Sequence, residues 1–437
     1  MIRPVTVQDM LRARDDRVAR QAEFLRRHGA ALISFTMNIA GEIKVDDQIR
    51  RAFREGEKWI NAHLSRQAVK VLAYEQTMAF TGCEALWVVE AEASWLKAQM
   101  TAIEESCPLG RLFDIDVIAA DGTHLSRGTE RTCLICVGPV RACARSRAHA
   151  AEELFTKAQE IIRAHFADAF AHQVAQYAQR ALLYEAITTP KPGLVDCVNT
   201  GAHQDMDLFS FAASASVLGS YFEDCVRIGQ RGQHLAQLQH AGILAEEAML
   251  AAAGANTHKG AIFALGILCC AMGFCGEGAA WDDVLTEAAA IGQSFLQQME
   301  NGQRSATGGE QQYRQYGLTG ARGEAASGFR SVREIALPAL EEALLGGASA
   351  NEAGQAALLH LMAKVMDSNI VRRAGMEGQR WVAEQAVRLL RDGYTEEDLR
   401  ALDAEMICRN ISPGGCADLL AAAWFLHFVK EMGREEA

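Results

Sequence analysis

From Glu152 to the end of the chain the patterns that make strands vanish. β-Branched runs are nearly absent, and Ala, Leu, Gln and Glu recur at helical spacing between short glycine-rich loops. A stretch this long with a single period admits few folds, and it predicts an all-α domain. Up to about Ala150 the periods are mixed. Helices are predicted over Val7–His28, Asp46–Leu64 and Ser94–Ser106, and strands over Ala31–Ile39, Glu84–Glu92 and Gly110–Ala120, with Thr132–Gly138 (TCLICVG) as one more. The expected architecture is therefore multidomain. Residues 1–168 form an α/β or α+β domain of nucleotidyltransferase-like logic, and residues 169–437 an all-α helical domain.

Composition narrows the class. The most apolar segments, AIFALGILCCAMGFC and LLAAAWFLHFV, fall short of the ~20 residues that span a bilayer. They read as buried helices, so no membrane partner is expected. A net charge of −12 argues against nucleic acid as a partner. The chain opens directly into a charged helix and scatters 12 cysteines. Reduced thiols in a cytoplasmic protein are the expectation.

In the helical half, glycines and polar residues sit immediately ahead of apolar helices: GAHQDMD before LFSFAASASV, GANTHKG before AIFALGILCC, SPGGCAD before LLAAAWFLHF. Helix N-termini offer unpaired N–H groups that suit phosphate, and Lys191, Lys259 and Arg322 add full charges. The nearby acids fit Mg²⁺, which takes few carboxylates plus phosphate oxygens. Each residue also has a plainer reading. Asp205, Asp207 and Asp418 make good N-caps, and His203 and His258 could be satisfied loop histidines. Pro190 and Pro192 deny Lys191 a helix and would present it from a stiff loop.

The segments TPKPGLVDCVNTGAHQDMD, GANTHKGAIFALG, YGLTGARGEAASGF, MDSNIVRRAG and NISPGGCADLLAA, in that order, resemble the motifs of triphosphoribosyl-dephospho-CoA synthases. The resemblance covers Glu152 to the C-terminus. Ser368 stands where the family pattern has Thr, and Cys416 where it has a small hydroxyl residue. The resemblance implies ATP and 3′-dephospho-CoA as substrates, with adenine expelled when the ribose 2′-hydroxyl attacks the anomeric carbon. Asp205 and Asp207, with Asp196, are then expected to hold Mg²⁺ or act as general base. Lys191, Lys259 and Arg322 would hold phosphates, and His203, Asn256, His258, Glu324, Asp367 and Asn369 would complete the substrate site.

In the first half, Gly110 precedes Asp114 and Asp116, which share one face of a strand. Paired carboxylates repel unless a divalent cation lies with them, which is the logic of nucleotidyl transfer. MLRARDDRVARQAEFL, LISFTMNIAGEIK, GRLFDIDVI and TCLICVGPVRACARSRAHAAEEL resemble citrate lyase holo-acyl-carrier-protein synthases, over roughly Val5 to Leu154. That resemblance implies transfer of phosphoribosyl-dephospho-CoA to a serine of citrate lyase's acyl-carrier (gamma) subunit, with loss of pyrophosphate. Gly110, Arg111, Asp114 and Asp116 carry over as site residues, with Mg²⁺ on the two aspartates. Lys44, Arg145, Arg147 and His149 are further candidates for contacting phosphate. Cys133, Cys136, Cys143 and His149 have the makings of a zinc site. Zinc is nevertheless not expected, because in a strand Cys133 and Cys136 would face opposite ways. Two rivals stand beside this reading: an Mg²⁺-dependent hydrolase of the ADP-ribosylglycohydrolase kind, and an inactive scaffold that binds a carrier protein.

Overall fold

Strand β1 (Ala31–Met37) is buried along most of its length on both faces, which requires layers on either side of it. It is the centre of an antiparallel sheet ordered β2-β3-β1-β4-β5, with β2 at Val71–Ala79, β3 at Gly82–Val89, β4 at Phe113–Ile118 and β5 at His124–Leu125. The structure is a computed structural model that describes residues 3–232, 235–300 and 318–435. It divides into two units, Met1–Ala167 and Asp168–Ala437.

In the first unit, helix α1 (Val7–His28) starts at a capping box between Thr6 and Asp9 and stops at Gly29, which adopts the left-handed conformation. Its Phe24 and Leu25 cover Leu32, Leu86 and Val88 on one sheet face. The opposite face carries Ile33, Phe35, Trp87, Ile115 and Val117, packed against α2 (Asp47–Arg66) and α3 (Ala93–Ser106). β4 leaves part of its outer edge free of strand pairing, and α3 satisfies it with side chains. Lys97 Nζ donates to Ile115 O at 2.8 Å, and Ile115 N donates to Glu104 Oε1 at 2.9 Å.

Two sequence expectations change here. β2 has no counterpart in the sequence reading, because it is a half-exposed edge strand without a continuous apolar run. Thr132–Gly138 is not a strand. It is a turn, closed by a Thr132–Pro139 bridge and a 2.7 Å hydrogen bond from Cys133 N to Gly138 O. Val137 at φ 60° reverses the chain, which no strand permits. A short helix, α4 (Val140–Ser146), follows.

Helix α5 (Ala151–Ile187) contributes its first half to the core of the first unit and its second half to the core of the second. Among the described residues the second unit contains no strand. Its helices are α6 (Leu208–Val217), α7 (Gly219–Gln230), α8 (Leu235–Ala253), α9 (Lys259–Cys275), α10 (Trp281–Glu300), α11 (Gly320–Ala326), α12 (Leu337–Leu345), α13 (Ala350–Lys364), α14 (Ser368–Asp392), α15 (Glu396–Cys408) and α16 (Gly414–Glu435). α9 is buried almost throughout. α7 and α9 approach backbone to backbone: a side chain at Gly229 would strike the Cys270 carbonyl, and one at Gly273 the Val226 carbonyl. No described helix is long and apolar enough to cross a membrane.

Candidate active sites

The irregular segment after α5 is held from several directions. Thr189 O accepts from Asn351 Nδ2 and Gln355 Nε2 of α13, both at 2.6 Å. Asp403 of α15 accepts from Gly193 N at 2.8 Å and from Asn199 Nδ2 at 2.7 Å. Asp196 receives Lys191 N at 3.0 Å and Val198 N at 2.7 Å. Its two oxygens accept backbone N–H groups that shape the loop. Lys191 is not presented to solvent. It is 1% exposed and its Nζ pairs with Glu185 Oε1 in the last turn of α5.

Around this pair the polar loops meet. Asp367 caps α14 through Asn369 N at 2.7 Å, and its other oxygen takes Cys416 N at 2.8 Å, from the start of α16. Asp418, two residues further along α16, accepts from the Ala261 N–H at the start of α9. A side chain at Gly260 would collide with that carboxylate, so glycine there is what lets α9 receive Asp418. Burial first, then the Glu185 and Asp367 charges, push Asp418 well above the ordinary carboxylate range. Its side chain is enclosed by protein atoms yet keeps partial contact with solvent. Gly320 abuts Ser368, and Gly414 abuts Asn369. Five loops that are distant in sequence thus end at one place.

His258 lines the same place. It is 2% exposed, and its Nδ1 shares a 2.6 Å hydrogen bond with Ser214 Oγ. Its Nε2 and the neighbouring Thr257 Oγ1 are buried without a partner, so both can meet a ligand. Burial, reinforced by Lys191, pulls His258 down to about 3. The histidine is therefore neutral in the native state near neutral pH. Because its folded pKa lies below the unfolded 6.5, the stability it contributes is present above about pH 6.5 and is lost as pH falls toward 3. The expected slope is about 1.4 kcal/mol per pH unit. His258→Gln should flatten the unfolding free energy against pH by that amount over this interval, and parallel curves would contradict it.

The other sequence candidates are placed as follows. Asp207 is the exposed N-cap of α6 and accepts from Ser210 N at 2.9 Å. Asp205 is exposed, 68% at the side chain, with an oxygen 3.9 Å from His203 Nδ1. His203 reaches Ser412 Oγ at 2.9 Å, and Arg373 donates to Ala202 O at 2.8 Å. Lys259 pairs with Glu246 at 2.5 Å at the surface, and Asn256 is exposed. Glu324 is engaged by Ser331 N at 2.6 Å and Ser331 Oγ at 2.9 Å. Arg322 is half-buried in α11. Tyr316 and Gly317, which open the YGLTGARGEAASGF motif, lie outside the described residues. Glu185 and Arg373 were not among the candidates, and Asp418 was read only as a helix cap. A separate groove lined by Tyr221, Arg227, Arg231 and His240 holds none of the loop residues.

In the first unit, β4 alternates exposed Asp114 and Asp116 with buried Phe113, Ile115 and Val117. Asp114 reaches solvent but is crowded by protein. Desolvation first and the Asp116 charge second hold its carboxyl above the usual range, with Arg131 opposing. Arg131 donates to Phe113 O at 2.7 Å and to Glu104. Gly110 is glycine for a packing reason, since any side chain would strike the Glu104 carbonyl. Arg111 holds Thr132 through its Oγ1 at 2.6 Å and through its carbonyl. Lys44 Nζ donates to Ile39 O at 2.5 Å, while Arg145 and Arg147 are exposed. Cys133 and Cys136 sit in the turn, so the strand argument against a shared metal fails.

Two family profiles match the chain. ATP:dephospho-CoA triphosphoribosyl transferase matches residues 171–436, and apo-citrate lyase phosphoribosyl-dephospho-CoA transferase matches residues 5–165. Protein CitXG of Haemophilus influenzae is 33% identical over 97% of this chain and 96% of its own. The 2-(5″-triphosphoribosyl)-3′-dephosphocoenzyme-A synthase of Pectobacterium atrosepticum is 42% identical over 58% of this chain and 88% of its own. A solved structure from Archaeoglobus fulgidus, 18% identical, aligns with 50% of this chain and 98% of its own at a TM-score of 0.35, too weak a likeness to bear on the fold. The chain is a transferase. It belongs to the ATP:dephospho-CoA triphosphoribosyl transferase family, fused to an apo-citrate lyase phosphoribosyl-dephospho-CoA transferase, and it serves synthesis of the citrate lyase prosthetic group.

Proposed function

We propose that the helical unit joins ATP to 3′-dephospho-CoA where buried Glu185, Lys191, His258 and Asp367 meet half-buried Asp418. The dephospho-CoA ribose 2′-oxygen bonds to the anomeric carbon of the ATP ribose, the carbon–adenine bond breaks, and the hydroxyl proton ends on adenine. The observation that carries this is the meeting of five polar loops around Lys191, Asp367 and Asp418, the last a carboxylate whose raised proton affinity suits a general base. Lys191 and Glu185 fix the floor of the site. Neutral His258 offers Nε2 as a hydrogen-bonding group, without charge. Lys259, Arg322, Arg373, His203, Asn256 and Asn369 ring the cluster as contacts for phosphates, and Asp205 is the solvent-facing acid available to a cation.

In the first unit, the nucleotidyltransferase-like arrangement is Asp114 and Asp116 beside Arg131. A carrier serine of the citrate lyase gamma subunit attacks the phosphorus next to the ribose, pyrophosphate leaves, and the serine proton passes to a carboxylate, best Asp114. Mg²⁺ fits the Asp114–Asp116 pair, which shares one face of β4 and in which desolvation and the Asp116 charge hold the Asp114 carboxyl above its usual range. It would offset charge on the phosphates there. Asp207 fits it less well, since its carboxylate caps a helix.

The test is adenine release from ATP with Mg²⁺, with and without 3′-dephospho-CoA. Release that requires dephospho-CoA supports the proposal. Release or ADP-ribose cleavage without it favours a hydrolase, and no release with intact folding favours a scaffold.

A further inference from the structure

The turn that replaced the expected strand brings together side chains to which the proposed reactions assign no step. Cys133 and Cys136 lie at its two ends, Cys143 in the second turn of α4, and His149 just beyond Arg147, whose left-handed backbone ends that helix. One ligand atom from each of the four lies within 4.8 Å of all the others. Two sulfurs about 2.3 Å from one tetrahedral ion stand about 3.8 Å apart, so the spacing matches a single small cation. It is also the one such group among the described residues.

Two further observations point to a ligand. His149 Nε2 is buried and has no hydrogen-bond partner, which is costly unless something occupies it. Ile135 N lies 3.5 Å from Cys133 Sγ, so a backbone N–H is aimed at a sulfur as a thiolate would need. The rival is a disulfide, since Cys136 and Cys143 Sγ are 3.3 Å apart. A disulfide would leave Cys133 and His149 gathered for no reason.

The geometry points to a structural zinc site of Cys133, Cys136, Cys143 and His149. Three sulfurs and one imidazole nitrogen around one point select Zn²⁺ over hard cations. Four protein ligands leave no open position, so the ion holds structure and does no chemistry. The segment between β5 and α5 has no regular element except the seven-residue α4, and a chain this loosely built gains most from a metal clip. The clip fixes Thr132 and Arg131 in place. Through Arg111 and Arg131 these two tie the turn to the start of β4, beside Asp114.

Full-length protein purified under reducing conditions without chelator should contain one zinc per chain by elemental mass spectrometry. Cys136→Ser and Cys143→Ser should each lose it, and Cys197→Ser, distant in sequence and exposed, should keep it. Cobalt(II) added to the metal-free wild type should give the thiolate charge-transfer and tetrahedral ligand-field bands. Because this uses no variant, a misfolded mutant cannot mimic failure. Less than a tenth of an equivalent of zinc with no cobalt spectrum overturns the site, as does a Cys136–Cys143 disulfide in peptides mapped from the reduced preparation. Metal content tests the site independently of the proposed reactions. A second readout rests on them: zinc removal should lower carrier modification at least tenfold and leave adenine release unchanged.

Discussion

Asp418→Asn should reduce adenine release by about 10²–10⁴-fold, the range a general base contributes, while leaving helical content intact. The sign of its stability effect separates chemistry from folding. The raised folded pKa of Asp418 means that its stabilising contribution belongs to the protonated form. That contribution is present below the unfolded carboxylate pKa and lost as pH rises through the folded one. In the folded protein the charged form is therefore the unfavourable one, and Asn removes it while still able to accept from Ala261 N–H. The melting temperature should not fall, and a large activity loss without it is the mark of a site residue. The wild-type rate should also rise with pH above the ordinary carboxylate range. If Asp205→Asn abolishes turnover while Asp418→Asn does not, the exposed acid is the base instead.

The second large effect concerns the Lys191–Glu185 pair. Both side chains are almost wholly buried, at 1% and 4% exposure. Removing one partner leaves the other charge uncompensated, so Lys191→Met should cost about 3–5 kcal/mol. That corresponds to a melting shift of roughly 10 °C for a unit of this size. The double variant Lys191→Met with Glu185→Leu should recover most of that stability, because a buried ion pair is often no better than an apolar isostere. Activity should not return with it. A double variant as active as wild type would reduce the pair to scaffolding.

What the sequence revealed, and what it hid, follows from how local each signal is. The loops before α6, α9 and α16 were readable because glycine and polar residues ahead of an apolar run mark a helix start at any depth in a protein. Asp418 was not, because beside a helix start it looks like a cap for its own helix. The structure instead sets its carboxylate against Ala261 on another helix, a pairing across more than 150 positions. Glu185 reads as an ordinary solvated residue at the end of a long helix until Lys191 folds back onto it. Asp207 shows the opposite case, since its capping role is local and the structure places it as an N-cap. In the first unit, β4 declared itself through alternation. β2 did not, since an edge strand needs no apolar face. TCLICVG misled because its apolar residues look like a strand, while the reversal depends on a left-handed Val137 that composition does not signal.

The most direct measurement is the intact mass of the apo carrier protein after incubation with the full-length chain, ATP, Mg²⁺ and 3′-dephospho-CoA. The wild type should add one phosphoribosyl-dephospho-CoA to a serine. Asp418→Asn should add none from ATP and dephospho-CoA, yet add the full group when given the triphosphoribosyl precursor. A carrier left unmodified by the wild type under both conditions, or modified equally by the Asp418→Asn variant from ATP, would contradict the account.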